Sequence, residues 1–258
     1  MIDGFRATEL SHGGQTRTVY RRGTGPGVVI MHEIPGIYPA VIRFAETIAD
    51  AGFSVALPHL FGEVGRPLSQ PYIGAEMARA CVSREFKVLA AHQASPITEW
   101  LRGLARAIHA EIGGRGVGAI GMCLTGNFAL ALMVDPFLMA PVLSQPSLPF
   151  PIGAERRAGL HVSPQQLEQI KQRTTAGCRV LGLRFTHDAL CPGERFTTLR
   201  RELGQAFEGI EIDSGPGNAH GIPRSAHSVV TKDLVDREGH PTKQALDRLI
   251  AFLREQLL

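Results

Sequence analysis

Three side chains in the second half of the chain have the types and the order needed for nucleophilic catalysis. Cys123 lies between two apolar runs, Asp188 follows another, and His220 lies in a loop rich in glycine, proline and asparagine. A thiolate can attack a carbonyl carbon, a histidine can act as general base, and a carboxylate can orient and stabilise the imidazolium. These residues predict a triad suited to acyl transfer.

Other residues could replace two members of this triad. Asp213 also follows an apolar run, and modest loop shifts could bring His187 or His227 to the site. Asp213 stands so close to His220 in sequence that it would have to fold back along the same loop, which favours Asp188. Asp188 and His220 are therefore the preferred partners of the cysteine, and the alternatives stay open.

The sequence around Cys123 is typical of a sharp turn between a strand and a helix. Gly121 and Gly126 flank the cysteine, and glycines give room where a strained backbone brings neighbouring side chains together. A helix beginning at about Leu124 would direct backbone N–H groups and its positive dipole end toward the sulfur. These features favour a reactive thiolate.

The elements that must position these residues alternate along the chain. An apolar strand pattern begins at Gly27, a helical pattern follows and ends at Gly52, and a second strand pattern begins at Phe53. Continuous apolar strands separated by helices predict a doubly wound α/β fold, with a mostly parallel sheet and helices on both faces. We expect one domain over residues 1–258, with a lid or surface excursion at about 61–96. In such sheets functional residues gather at the carboxyl ends of strands.

Composition narrows the function classes. Hydrophobic residues make up 44% of the 258 residues, the formal net charge is only +3, and the basic residues form no long run, which argues against nucleic-acid binding. No apolar stretch approaches the roughly 18 residues of a membrane span, and the first residues lack a signal-peptide pattern. Four scattered cysteines predict neither a disulfide scaffold nor a metal site. We expect a cytoplasmic protein without cofactor, a monomer or small homo-oligomer.

Four short segments carry a family resemblance. They are "HEIPG" from His32, "GMCLTG" from Gly121, "HDALCP" from His187 and "NAHGIP" from Asn218. Together they resemble the dienelactone hydrolases, the cysteine-dependent carboxymethylenebutenolidase branch of the α/β-hydrolase fold. The resemblance implies that Cys123, Asp188 and His220 are the catalytic triad.

The resemblance also implies roles for residues outside the triad. Glu33 would hydrogen-bond the resting thiol and gate its ionisation, since a carboxylate near the sulfur opposes thiolate formation. The backbone N–H groups of Leu124 and Ile34 would form the oxyanion hole. Arg224, four residues after His220, and the weaker match Arg84 would bind a substrate carboxylate through their guanidinium groups.

Two departures from the family pattern affect substrate identity. Thr125 occupies the position two residues after the cysteine where the family usually has glycine, and extra length at 61–96 and 144–159 predicts a different cover over the site. The resulting hypothesis is a hydrolase that opens a lactone or cleaves an ester of a small, carboxylated substrate through an acyl-thioester. The alternatives are a general carboxylesterase or thioesterase, and a non-catalytic thiol-sensing or binding protein on the same fold.

Overall fold

An eight-stranded sheet forms the centre of the computed structural model, which describes residues 2–82 and 96–258. The strands are β1 (Arg6–His12), β2 (Gln15–Arg22), β3 (Gly27–Met31), β4 (Ser54–Pro58), β5 (Val117–Met122), β6 (Leu138–Ser144), β7 (Val180–Phe185) and β8 (Phe207–Ile212). Their order across the sheet is β1-β2-β4-β3-β5-β6-β7-β8. The β1–β2 and β2–β4 pairs are antiparallel, and every other neighbouring pair is parallel.

Helices cover both faces of this sheet. In the described residues they are α1 (Pro39–Asp50), α2 (Gln70–Val82), α3 (Pro96–Ile112), α4 (Gly126–Leu132), α5 (Gly153–Ala158), α6 (Pro164–Thr175), α7 (Gly193–Leu203) and α8 (Pro241–Leu257). One apolar cluster joins α1 and α8 to the sheet. A second cluster joins α3, α4, α6 and α7 to it. The predicted doubly wound, mostly parallel α/β architecture is confirmed.

Local sequence explains several element boundaries. All residues of β3 and β5 are buried, as expected for central strands of a parallel sheet. Helix α6 begins with a reciprocal capping box, in which the Gln166 N–H donates to Ser163 Oγ at 3.1 Å and the Ser163 N–H donates to Gln166 Oε1 at 2.9 Å. Gly52 follows α1 with a φ of 99°, a conformation that favours glycine.

The structure adds an element that the sequence patterns did not indicate and refines the predicted cover. The antiparallel β1–β2 hairpin precedes the first predicted strand. The predicted excursion at 61–96 contains helix α2, at Gln70–Val82. Residues 83–95 of this excursion lie outside the described residues. The second cover segment, 144–159, is held by Arg195 of α7. This buried side chain donates to the carbonyl oxygens of Gly159, Pro146 and Pro149.

Candidate active site

The turn that carries Cys123 lies between β5 and α4 and has a strained backbone. Cys123 has a φ of 54°, in the left-handed region that non-glycine residues rarely adopt. A Cβ atom on Gly121 would lie 2.2 Å from the Thr125 carbonyl oxygen, and one on Gly126 would lie 2.5 Å from Pro146 Cα. Both neighbouring positions therefore need glycine because the backbone approaches itself closely.

Thr125, the departure from the family pattern, braces this turn with its hydroxyl. Thr125 Oγ1 accepts the Met122 N–H at 3.0 Å and lies 2.8 Å from the Met31 carbonyl oxygen and 3.3 Å from that of His32. The side chain is fully buried. Its hydroxyl therefore connects the cysteine turn to the end of β3.

Asp188, in the turn after β7, is oriented by its own loop toward His227. Its Oδ1 accepts the N–H groups of Leu190 and Cys191 at 2.9 and 3.2 Å. Its Oδ2 lies 2.7 Å from Nδ1 of His227. A carboxylate held in this way fixes both the position of the imidazole ring and the nitrogen that carries its proton.

Cys123 is the second polar group at the His227 ring. Nε2 of His227 is buried and has no hydrogen-bond partner among the described residues. Burial alone would lower the pKa of His227, but the neighbouring Cys123 and Asp188 side chains raise that pKa well above its ordinary value. The structure therefore brings a thiol, an imidazole and a carboxylate to one place at the edge of the sheet.

The loop around His227 is held from its other side by Asp233. Its Oδ2 accepts the N–H groups of His227 and Ser228 at 2.8 and 2.9 Å. We refer to residues 227–233 as the His227 loop. Its backbone conformation is set by one carboxylate and the direction of its imidazole by another.

The expected position of the histidine requires a correction, since His220 does not meet Asp188. Its N–H donates to Asn218 Oδ1 at 3.2 Å, and Asn218 also accepts the N–H of Ile222, so this turn directs His220 outward. The exposed His220 ring instead lies 5.2 Å from the ring of His240 and lines an open cavity of about 510 Å³.

The other two alternatives lie at the same edge of the sheet but make different contacts. Asp213 Oδ1 accepts the Gly215 N–H at 2.8 Å and so caps its own turn. His187 is exposed, with Nδ1 3.1 Å from Thr186 Oγ1. Among the histidines weighed from the sequence, His227 is the one that contacts the Asp188 carboxylate.

Glu33 follows β3 and is buried, but it does not bond the thiol. Four neutral groups donate to its carboxylate: Tyr38 Oη and Thr231 Oγ1 to Oε1, and Ser228 Oγ and Gln145 Nε2 to Oε2, the last two at 2.8 and 3.0 Å. In the described part of the chain no hydrogen bond joins Glu33 to Cys123. The predicted gating contact is therefore corrected, because the lone pairs that would receive the thiol proton are already occupied.

His32 and Tyr38 stabilise the position of Glu33. The His32 Nε2 accepts the Leu60 N–H at 3.0 Å, which leaves Nδ1 to donate to the Glu33 carbonyl oxygen at 3.2 Å. Burial lowers the pKa of His32 to about 3, so this imidazole stays neutral. Burial and the Glu33 charge raise the pKa of Tyr38, so its hydroxyl remains a donor.

The remaining predicted residues differ in how far the structure describes them. Leu124 is in the first turn after the cysteine, and the Ile34 N–H has no acceptor among the described residues. Arg224 is exposed, three residues before His227. With His227 at Asp188, the residue four positions after the histidine is Thr231, so the spacing that singled out Arg224 no longer applies. Arg84 lies outside the described residues.

The described residues form neither a metal centre nor a membrane-spanning helix. Within residues 2–82 and 96–258, no three His, Cys, Asp or Glu side chains are placed to hold a metal ion. In the same ranges, no helix combines the length and the apolar character needed to cross a membrane.

The topology and the site together define an α/β hydrolase fold, with a cysteine turn after β5, an aspartate after β7 and a histidine after β8. The chain belongs to the dienelactone hydrolase family, whose family model matches residues 16–257. Its class is accordingly that of the carboxylic ester hydrolases. Among curated proteins, none matches the chain in sequence.

Solved structures share the fold at low sequence identity. A dienelactone hydrolase-like promiscuous phosphotriesterase from metagenomic libraries is 18% identical, with a TM-score of 0.65 and coverage of 98% of both chains. A dienelactone hydrolase from Anabaena variabilis is 14% identical, with a TM-score of 0.63 and the same coverage. A cold-adapted esterase from an Arctic intertidal metagenomic library is 15% identical, with a TM-score of 0.59, covering 98% of this chain and 94% of the other.

Sequence reasoning preferred the wrong histidine for contact with Asp188, although a signal was present. The segment "HSVVTKD" from His227 places two hydroxyl side chains and a carboxylate within six residues of a histidine. Such polar groups in an otherwise apolar stretch need buried partners. That requirement could have indicated that this part of the loop, rather than "NAHGIP", returns to the site.

Proposed function

We propose that this chain hydrolyses small esters or lactones with Cys123 as nucleophile, His227 as general acid–base and Asp188 as the group that orients the imidazole. The observation that carries the proposal is the contact of His227 Nδ1 with Asp188 at 2.7 Å, with Cys123 at the same ring. Cysteine on a strained turn at a helix start is the arrangement expected of an activated thiol.

The proposed acylation step follows from these contacts. The Cys123 thiolate forms a bond to the substrate carbonyl carbon, and the carbonyl electrons move to the oxygen. The N–H groups of Leu124 and Ile34 stabilise that oxyanion. When the tetrahedral species collapses, the carbon–oxygen bond to the alcohol breaks, and the His227 imidazolium gives its proton to the departing alkoxide. An acyl-thioester on Cys123 remains.

Deacylation uses the same groups in the reverse order. Neutral His227 removes a proton from water as the water oxygen attacks the thioester carbonyl carbon, and Asp188 stabilises the resulting imidazolium. The carbon–sulfur bond breaks, the acid leaves, and Cys123 returns as a thiolate beside the imidazolium. A lactone differs only in that its alcohol stays attached to the released acid.

The structure favours esters and lactones in general over a requirement for a carboxylated substrate. Thr231, bonded to Glu33, occupies the position four residues after His227, and Arg224 is exposed on the loop before it. A panel of aryl esters with and without a free carboxylate, measured on wild type and Arg224→Ala, tests this substrate range. Equal loss, or no loss, on both kinds of ester would argue against carboxylate binding by Arg224.

Intact-mass measurement of an acyl adduct tests the nucleophile. When the reaction with p-nitrophenyl acetate is quenched rapidly, we expect wild type to carry a single acetyl adduct that maps to Cys123. Cys123→Ala should carry no adduct and hydrolyse no ester. Cys178→Ala is the matched control, since burial raises the pKa of that thiol and its sulfur contacts the Met139 carbonyl oxygen. Turnover by Cys123→Ala, or a wild type that is oxidised reversibly but never acylated, would overturn the proposal.

A further inference from the structure

Glu33 is a buried carboxylate whose hydrogen-bond partners are all neutral. It is 1% exposed, and each of its oxygens accepts two hydrogen bonds. A buried charge is costly unless its lone pairs are filled. The carboxylate and its four donors therefore satisfy one another's hydrogen bonds. Removal of one partner leaves another buried group without its hydrogen bond.

Half of these donors come from the His227 loop. Ser228, adjacent to the histidine, donates to Oε2, and Thr231 donates to Oε1. The other two, Tyr38 and Gln145, are at the start of α1 and just after β6. Glu33 thus connects the His227 loop to the start of α1 and to the end of β6.

Gln145 reinforces the same connection. Its Nε2 donates to Glu33 at 3.0 Å, while its Oε1 accepts the Val229 N–H at 3.4 Å. Gln145 adopts a positive φ of 35°, which is unusual for a residue with a side chain. The strained backbone places one amide between the carboxylate and the histidine loop.

The contribution of Glu33 is geometric. The main charges that act on the His227 ring come from Cys123 and Asp188. Its carboxylate also makes no hydrogen bond to Cys123 in the described part of the chain. Among the described residues, Glu33 connects to the His227 loop through Ser228, Thr231 and Gln145.

From these contacts we infer that Glu33 is a positioning residue for His227, which it holds beside Cys123 by anchoring the loop through Ser228 and Thr231. The inference rests on the proposed role of His227 as general acid–base. It assigns Glu33 an effect on the thiol opposite to that of a gate. A gating carboxylate suppresses thiolate formation, whereas an anchor of the imidazole sustains it.

The test measures the rate of iodoacetamide alkylation at Cys123 against pH, located by mass spectrometry, together with kcat and KM for one ester. Thr231→Val removes one donor while leaving the carboxylate and the side-chain shape, and Thr231→Ser keeps the hydroxyl. Glu33→Gln removes the charge. Asp135→Asn is the control, because Asp135 is also a buried carboxylate but is bonded to Arg102 near the amino end of β6.

For Thr231→Val and Glu33→Gln we expect kcat to fall between about tenfold and 10²-fold with little change in KM, since small misplacement of a catalytic group has effects of this size. Slower alkylation at neutral pH should accompany the loss, since the imidazole would no longer be held beside the sulfur. Thr231→Ser should restore both, and Asp135→Asn should alter neither.

Faster or unchanged alkylation in Glu33→Gln and Thr231→Val would overturn the positioning role. His227→Ala in the same assay separates this failure from failure of the proposed function. If His227→Ala leaves the alkylation profile unchanged, the proposed function itself fails. If only His227→Ala changes that profile, the function stands and the role of Glu33 does not.

Discussion

The nucleophile turn and the His227 loop are both irregular segments at the same edge of the sheet, but they are held by different kinds of contact. The turn is shaped mainly by the small residues Gly121 and Gly126 and by the positive φ of Cys123, and Thr125 connects it to the end of β3. The His227 loop depends on partners 39 and 195 residues away, Asp188 and Glu33.

This difference indicates which region tolerates change. A turn set by local sterics keeps its shape as long as the small residues remain. A loop set by buried polar contacts loses its position when any one partner is removed, since each unsatisfied buried group costs about 1–3 kcal/mol. We therefore expect substitutions to disturb the position of His227 more readily than the shape of the Cys123 turn.

The two histidines of the long loop provide the largest contrast. We expect His227→Ala to lower kcat/KM by roughly 10³-fold, the scale of a lost general acid–base. The exposed His220 contacts neither Asp188 nor Cys123, so His220→Ala should change kcat/KM by less than about twofold. Steady-state ester hydrolysis with both variants at equal folded concentration measures this ratio. A large loss in His220→Ala with little in His227→Ala would reverse the assignment.

Thr125 tests how far the nucleophile turn depends on its connection to β3. Thr125→Val keeps the shape but removes the hydroxyl that contacts Met122 and Met31. We expect the free energy of unfolding to fall by about 1–3 kcal/mol, because the Met122 N–H loses its acceptor. Urea unfolding monitored by circular dichroism checks this change.

Thr125→Ser is the control for that experiment, since it retains the hydroxyl and should stay close to wild type in stability. If Thr125→Val proves as stable as Thr125→Ser, the hydroxyl does not brace the turn. The comparison between the two regions would then rest on glycine sterics alone.

A pH effect on stability is the smallest of these outcomes. The folded pKa of His227 is raised above its ordinary value of 6.5, so the imidazolium stabilises the fold fully below about pH 6.5. This stabilisation is lost as pH rises through the folded pKa. The free energy of unfolding should therefore exceed that of His227→Gln by on the order of 1 kcal/mol at low pH, with the gap narrowing as pH increases.

Unfolding curves of the two proteins at several pH values measure that gap. His220→Gln is the matched control, since it removes an exposed imidazole from the same long loop. A gap that widens with pH would contradict the raised pKa and, with it, the proposed pairing of His227 with Cys123.

The sequence alone was sufficient to predict the α/β architecture and the turn at Cys123, because these depend on neighbouring residues. Apolar strand runs, flanking glycines and capping residues act within a few positions of the chain. The hairpin β1–β2 was not predicted, since its partly exposed strands lack the continuous apolar run of β3 or β5.

Only the tertiary structure decided which histidine meets Asp188 and what Glu33 contacts. His220 and His227 lie on one loop and have the same chemistry, so their spacing cannot separate them. Asn218 turns the chain outward at His220. Asp233 and Glu33 hold residues 227–231 of the same loop at the site through hydrogen bonds. Contacts between groups so far apart in sequence form only when the sheet brings its strand ends together.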